Sequence, residues 1–204
     1  MTPEFAAAVD PLLLEIIALF ERVRGGRASE PAEEQATIRA AIDSAAKRVP
    51  GTRARDWDLA RYALVSLLDD RLIVDLPWTG RSWWEEHCLE YTLYSHRNRA
   101  EDFFLRADDA CGLASRDALE VFIAAILLGF RGRFRDQPAA LEAWLRPKEQ
   151  LVRVGLDRPE VKDTAGELAG ALPQHGRTNL VWASLVAALV AAMAVVTVYR
   201  VAKG

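Results

Sequence analysis

The chain has 204 residues and a net charge of −3, with 27% charged and 51% hydrophobic residues. That length gives room for one domain or two small ones with a real core. The acidic balance weighs against nucleic acid as the main partner, and two cysteines, Cys88 and Cys111, are too few for a disulfide framework.

Every strong periodicity along the chain is helical, so the expected class is all-α, packed as small antiparallel bundles. Met1 to Phe20 lacks a basic n-region and a small-residue cleavage site, and Asp10 and Glu15 interrupt its apolar run, so no export signal is expected there. Asp10 and Pro11 read as an N-cap and first-turn pair, followed at helical spacing by Leu12, Leu13, Ile16, Ile17, Phe20 and Val23 until Gly25-Gly26. A second helix is expected from about Pro31 to Arg48, closed by Pro50-Gly51. The third is the most apolar, opening at Asp56 or Asp58 and carrying Leu59, Tyr62, Ala63, Leu67, Leu68, Leu72 and Ile73. Ser82-Trp83-Trp84-Glu85 has capping-box spacing, which predicts a fourth helix starting at Ser82. A fifth covers roughly Ala100 to Ala110. The sixth follows Ser115, with Leu119, Phe122, Ile123, Ile126, Leu127 and Phe130 on its buried face. A seventh spans about Pro138 to Val154, broken or bent near Pro147.

From Asp157 to Asn179 Pro and Gly are scattered among polar residues. Two readings stand: a semi-flexible connector with one short helix around Lys162 to Leu172, or a final helix packed on the domain. Beyond it, Leu180 to Tyr199 is a run of twenty uncharged residues. At about 1.5 Å per helical residue this reaches roughly 30 Å, the thickness of a bilayer's hydrocarbon layer. Trp182 and Tyr199 sit near its ends, where amphipathic rings prefer the headgroup level. Its nine Leu and Val residues favour insertion by only about 3–5 kcal/mol. The segment reads as a tail anchor. The bulk of the chain is then expected in the cytoplasm and a short tail outside, in the order 1–156 helical domain, 157–178 juxtamembrane connector and 179–204 anchor. Ala183, Ala187 and Ala191, with Ser184, Ala188 and Ala192 beside them, repeat every four residues. They offer a close-approach face for homodimerisation or docking, or serve as generic small filler.

No catalytic residue, cofactor or metal site is expected. His87 and His96 are nine residues apart, about 180° apart on a helix, so with Cys88 they make poor shared ligands. Asp69-Asp70 with Asp75 resembles a carboxylate cluster, but adjacent helical positions point about 100° apart. Arg131, Arg133 and Arg135 follow a helix end marked by Gly129 and Gly132, where cations complement the dipole, a better reading than nucleic-acid binding. The turn "LPWTGRSWW" groups Trp78, Trp83 and Trp84. These rings either cover the end of a bundle or, together with the acidic pair, form a docking site.

Three stretches in order, "RYALVSLLDDRLIVDLPWTGRSWW", "EDFFLRADDA" and "EVFIAAILLGFRGRFRD", resemble landmarks of the DotU/TssL (IcmH) family. Its members are tail-anchored inner-membrane subunits of type VI and the related type IVB secretion systems. The similarity covers roughly Asp10 to Leu151. It implies a cytoplasmic domain of two three-helix bundles arranged as a hook, and a scaffold joining a TssM/IcmF-like membrane subunit to a TssK-like baseplate subunit. Asp69 and Asp70 are implied in electrostatic docking, with Trp78 and Trp83 as further partner-binding residues. Tyr62, Pro77, Phe103, Phe104, Gly129, Phe130, Gly132 and Arg135 are implied as structural landmarks. Departures from the family pattern are Arg99-Ala100 in place of Gly-Gly, Asp70 where Glu is commoner, and the lack of a peptidoglycan-binding domain after the span. The rival readings are a type IVB subunit stabilising an IcmF-like protein, and a membrane-tethered enzyme or ligand sensor using the Asp69/Asp70 region.

Overall fold

The structure, a computed structural model, describes residues 1–155, and among these every regular element is helical. The expected connector, anchor and small-residue face lie outside the described residues. Among the described residues no helix is long and apolar enough to cross a membrane.

Helix α1 (Pro3–Arg24) starts eight residues earlier than the Asp10–Pro11 signal suggests. Pro3 takes the first-turn position, and Phe5, Ala8 and Val9 extend the buried stripe N-terminally. Pro11 is therefore inside the helix. It is tolerated because Pro11 and Ala7, whose carbonyl loses its partner, both face solvent. Gly25, and Gly26 at φ 62°, end the helix as expected.

Helix α2 (Pro31–Arg48) has the expected bounds and buries Ile38, Ile42 and Ala45. It is clamped to α1 by a forked pair. Arg22 Nε and Nη2 donate to the two oxygens of Glu34 at 3.2 and 2.7 Å, while Ser29 N donates to Glu34 Oε1 at 2.9 Å. Such bidentate geometry is the stronger form of ion pair.

After a 3-10 turn (Gly51–Arg53), helix α3 (Ala54–Asp70) runs through the middle of the fold. Every residue from Tyr62 to Asp70 is buried, so this stretch has no solvent face, and a helix apolar all round must be enclosed by other helices. It packs most extensively on α7 (Asp117–Leu127), and also on α6 (Arg99–Cys111) and α5 (Leu89–Tyr94). One contiguous apolar cluster links it to α1 and α2.

Immediately after α3, Arg71–Asp75 winds as a π turn, closed by Leu76 N donating to Arg71 O at 2.8 Å. Helix α4 (Arg81–Glu86) follows. Gly80 occupies its N-cap position and no side chain caps it, so the expected capping box at Ser82 does not form. Ser82 lies inside the first turn. The short helix α5 is absent from the sequence reading. At six residues it has no room to display a helical period.

Helices α6 and α7 fall where they are expected. On α7, Leu119, Phe122 and Ile126 are buried, but Leu127 is 71% exposed, because the helix ends there and the chain turns away. Helix α8 (Pro138–Gly155) continues past Pro147 without a break in its assignment, with Leu141 and Val152 buried.

Candidate docking site around the acidic pair

The buried end of α3 sets the electrostatic problem of the domain. Two carboxylates, Asp69 at 0% exposure and Asp70 at 5%, follow seven enclosed residues, and buried charge must find donors. This corrects the expectation of an exposed acidic pair for electrostatic docking. The apolar run ahead of the pair carries it under the surface, where neither carboxylate presents a charge to a partner.

Asp69 turns toward α4 and α5. Its Oδ1 accepts from Trp84 Nε1 at 2.9 Å and from Leu89 N at 3.1 Å, and its Oδ2 accepts from Glu90 N at 2.7 Å. A carboxylate from a distant helix thus satisfies the first two free amides of α5, the job usually done by a local N-cap. Burial raises the Asp69 carboxyl from the ordinary 3.8 to about 6, against the opposing pull of those same hydrogen bonds and of Arg99.

Asp70 points the other way, to the loop between α7 and α8. Its Oδ2 accepts from Arg135 Nη2 at 2.8 Å and from Arg131 N at 3.3 Å. Arg135 Nη1 also bonds Asp75 Oδ1, and Arg71 Nη1 donates to Asp75 Oδ2 at 2.7 Å. The π turn puts Asp75 in reach, completing a chain Asp70–Arg135–Asp75–Arg71. The sequence argument that Asp69 and Asp70 diverge agrees with this geometry.

Most of the expected landmarks converge here. Gly129 sits at φ 114°, and a Cβ on it would lie 2.9 Å from Arg71 Nη1. Gly132, at φ 46°, would place a Cβ 2.9 Å from the Phe130 ring and 3.0 Å from Ala100 O. Both positions demand a residue without a side chain. Phe130 stacks on Phe103 with centroids 3.8 Å apart, and Phe104 meets Phe134 edge-on at 4.8 Å. The basic run is absorbed internally: Arg131 Nη1 donates to Ile126 O and Phe130 O, each at 2.8 Å, closing the end of α7. Arg133 pairs with Glu101 and lies over the Phe104 ring.

The tryptophans divide their roles. Trp84 is fully buried and covers the α3 end. Trp78 is half-buried, its Nε1 donating to Leu72 O at 3.0 Å, while Pro77 beside it is exposed. Trp83 is half-buried and stacks on the exposed His87 ring, centroids 4.4 Å apart. Nearby, Tyr91 is 53% exposed with the Arg97 guanidinium 5.1 Å from its ring centre. These residues give α4 and α5 a partly exposed aromatic face on a frame held by Asp69.

Tyr62 is fully buried, and its hydroxyl donates to Glu90 Oε1 at 2.8 Å. Burial and that carboxylate both push the phenol well above its usual range. Glu90 and Arg71 escaped the sequence reading, and Asp75, noted there only beside the acidic pair, is bonded by Arg135 and Arg71. The one signal for Glu90 was a lone acid between the apolar Leu89 and Tyr91.

A protein-family model described as type VI secretion system protein DotU matches residues 4–202. The chain belongs to the DotU family. Among solved structures, the cytoplasmic domain of TssL from Acinetobacter baumannii matches with a TM-score of 0.60 and 20% identity, covering 72% of this chain and 96% of that one. At that identity the likeness bears on the fold, and it agrees with the all-helical class. No curated protein matched the chain. DotU membership makes this a type VI secretion component.

Proposed function

We propose that the chain is a non-catalytic scaffold of the type VI secretion membrane complex, joining a TssM/IcmF-like inner-membrane subunit to a TssK-like baseplate subunit. The observation that carries this reading is the family match across residues 4–202, which takes in the apolar C-terminal run as well as the helical domain. In this reading 179–204 spans the bacterial inner membrane, with the 1–156 domain cytoplasmic, 157–178 as connector and a short periplasmic tail. The face Ala183/Ala187/Ala191 with Ser184/Ala188/Ala192 serves helix packing, including a homodimer contact. The two-bundle hook belongs to the same proposal.

Docking is assigned here to the aromatic face of α4 and α5, with Trp83 and Trp78 as partner-binding residues. Asp69 and Asp70 act on partners indirectly, by holding that face and the α7–α8 loop in place. The matched family, one of type VI secretion system proteins, favours the type VI over the type IVB setting. Confinement to a membrane raises the effective concentration of the docking face for cytoplasmic partners without any new contact.

Co-purification of the full chain with its TssM-like and TssK-like partners tests the assignment. Trp83→Ala with Tyr91→Ala is expected to cut recovery of one of them severalfold with an unchanged unfolding midpoint. Full recovery of both would refute docking through this face.

A further inference from the structure

The loop Ser95–Asn98, between α5 and α6, is folded back on the domain at a cost. Ser95 has φ 62°, the one non-glycine with positive φ among the described residues, and such left-handed backbone persists only where surroundings enforce it. What it achieves is to turn His96 inward. The His96 ring packs near Tyr62 and Tyr94, with centroids at 6.0 and 6.1 Å. Its Nδ1 lies 3.2 Å from Glu90 Oε1 and 3.7 Å from Asp102 Oδ2.

Glu90 needs that neighbour. It is at 0% exposure, and its Oε1 accepts from Tyr62 Oη and from Asn98 N at 3.0 Å. Its Oε2 has no hydrogen-bond donor among the described residues, Arg99 Nη1 being 3.5 Å away. A buried carboxylate short of donors is stabilised by any positive charge brought to it.

We infer that His96 is a proton-operated latch, closing the 95–98 loop onto Glu90 and Asp102 when the imidazole is protonated and loosening it when neutral. Only the imidazolium carries a full positive charge toward both carboxylates, and histidine is the side chain whose charge ordinarily changes near physiological pH. Other charged groups also face the site. Asp58 and Arg61 come from α3, with Arg61 donating to Tyr94 Oη at 3.0 Å. From α6 come Arg99 and Arg106, the latter 4.0 Å from the Tyr62 ring centre. These arginines oppose the imidazolium while Glu90 and Asp102 favour it. With 34% of its side chain exposed, it exchanges protons with solvent.

The loop's state reaches the surface through Arg97. Its Nη2 donates to Glu86 O at 2.9 Å, holding the end of α4, while its guanidinium covers Tyr91. Release of the loop removes this strap and exposes Tyr91 further. The latch is thus a proton-sensitive cover for the aromatic face, and it stands whether or not that face docks a partner.

Amide hydrogen exchange on the full chain, corrected for intrinsic pH dependence, tests it between about pH 5.5 and 8. Protection of the Asn98 amide is expected to fall about tenfold or more as pH rises. His96→Gln is expected to remain weakly protected throughout, and His87→Gln to keep the wild-type profile. A flat wild-type profile overturns the latch, and so does an undiminished pH dependence in His96→Gln. Loss of the dependence in His87→Gln alone assigns the switch to the other imidazole and equally overturns it.

Discussion

Asp69 and Asp70 are neighbours in sequence whose carboxylates grip opposite parts of the fold. One holds Trp84 and the start of α5, and the other holds Arg131 and Arg135 beyond α7. A helix turn of about 100° between adjacent residues is enough to send them apart. The pair is therefore a junction inside the domain.

Charge reversal at this junction is expected to unfold the protein locally or entirely. Asp69→Lys places an ammonium among three donors, and uncompensated buried charge costs on the order of 3–5 kcal/mol. Urea denaturation followed by circular dichroism measures it. A variant with a wild-type midpoint would show that the carboxylate is not held as described.

Stability should also depend on pH through Asp69. Its folded value of about 6 lies above the ordinary 3.8, so the folded state holds the proton more tightly than the unfolded state does. Its contribution is therefore fully present below about 3.8 and lost as pH rises through about 6. Relative to Asp69→Asn, which cannot titrate, the wild type should gain stability as pH falls across that window. Paired urea titrations at several pH values give the slope, and a parallel pair of curves would contradict it.

Gly129→Ala should destabilise by about 1–3 kcal/mol, from positive φ and from contact with Arg71. The double variant Gly129→Ala with Arg71→Ala relieves the contact but retains the backbone strain. A double-mutant cycle on thermal unfolding separates the two terms, and strict additivity would rule out the contact.

Val190→Arg addresses the proposed anchor. One arginine at the centre costs about 2.5–3.5 kcal/mol, most of the small insertion surplus. The variant chain is expected in the carbonate-extractable fraction, and continued membrane retention would count against a span at 179–204.

Much of the architecture was legible because long amphipathic helices declare themselves. The bounds of α2, the stop at Gly25-Gly26 and the placement of α6 and α7 follow from spacing and terminators alone. The first turns of α1 did not, since Pro11 looks like a start when tertiary contacts of Phe5 and Val9 are invisible. Helix α5 was hidden because a distant aspartate supplies its cap. The acidic pair stands out in the sequence, but direct docking presumes exposure, and both carboxylates are buried. Nothing in "LLDD" itself distinguishes a buried network from an exposed patch, and the partners that decide it lie about 15–65 residues away. Gly129 and Gly132 mark a helix end in the sequence, while their positive φ angles are visible only in the structure.

The remote cap on α5 has a bearing on folding order. A six-residue helix does not persist alone in water, so segment 89–94 must condense after α3 has delivered Asp69. Its aromatic face would then be the last part of the domain to assemble during synthesis and the first to fray on heating.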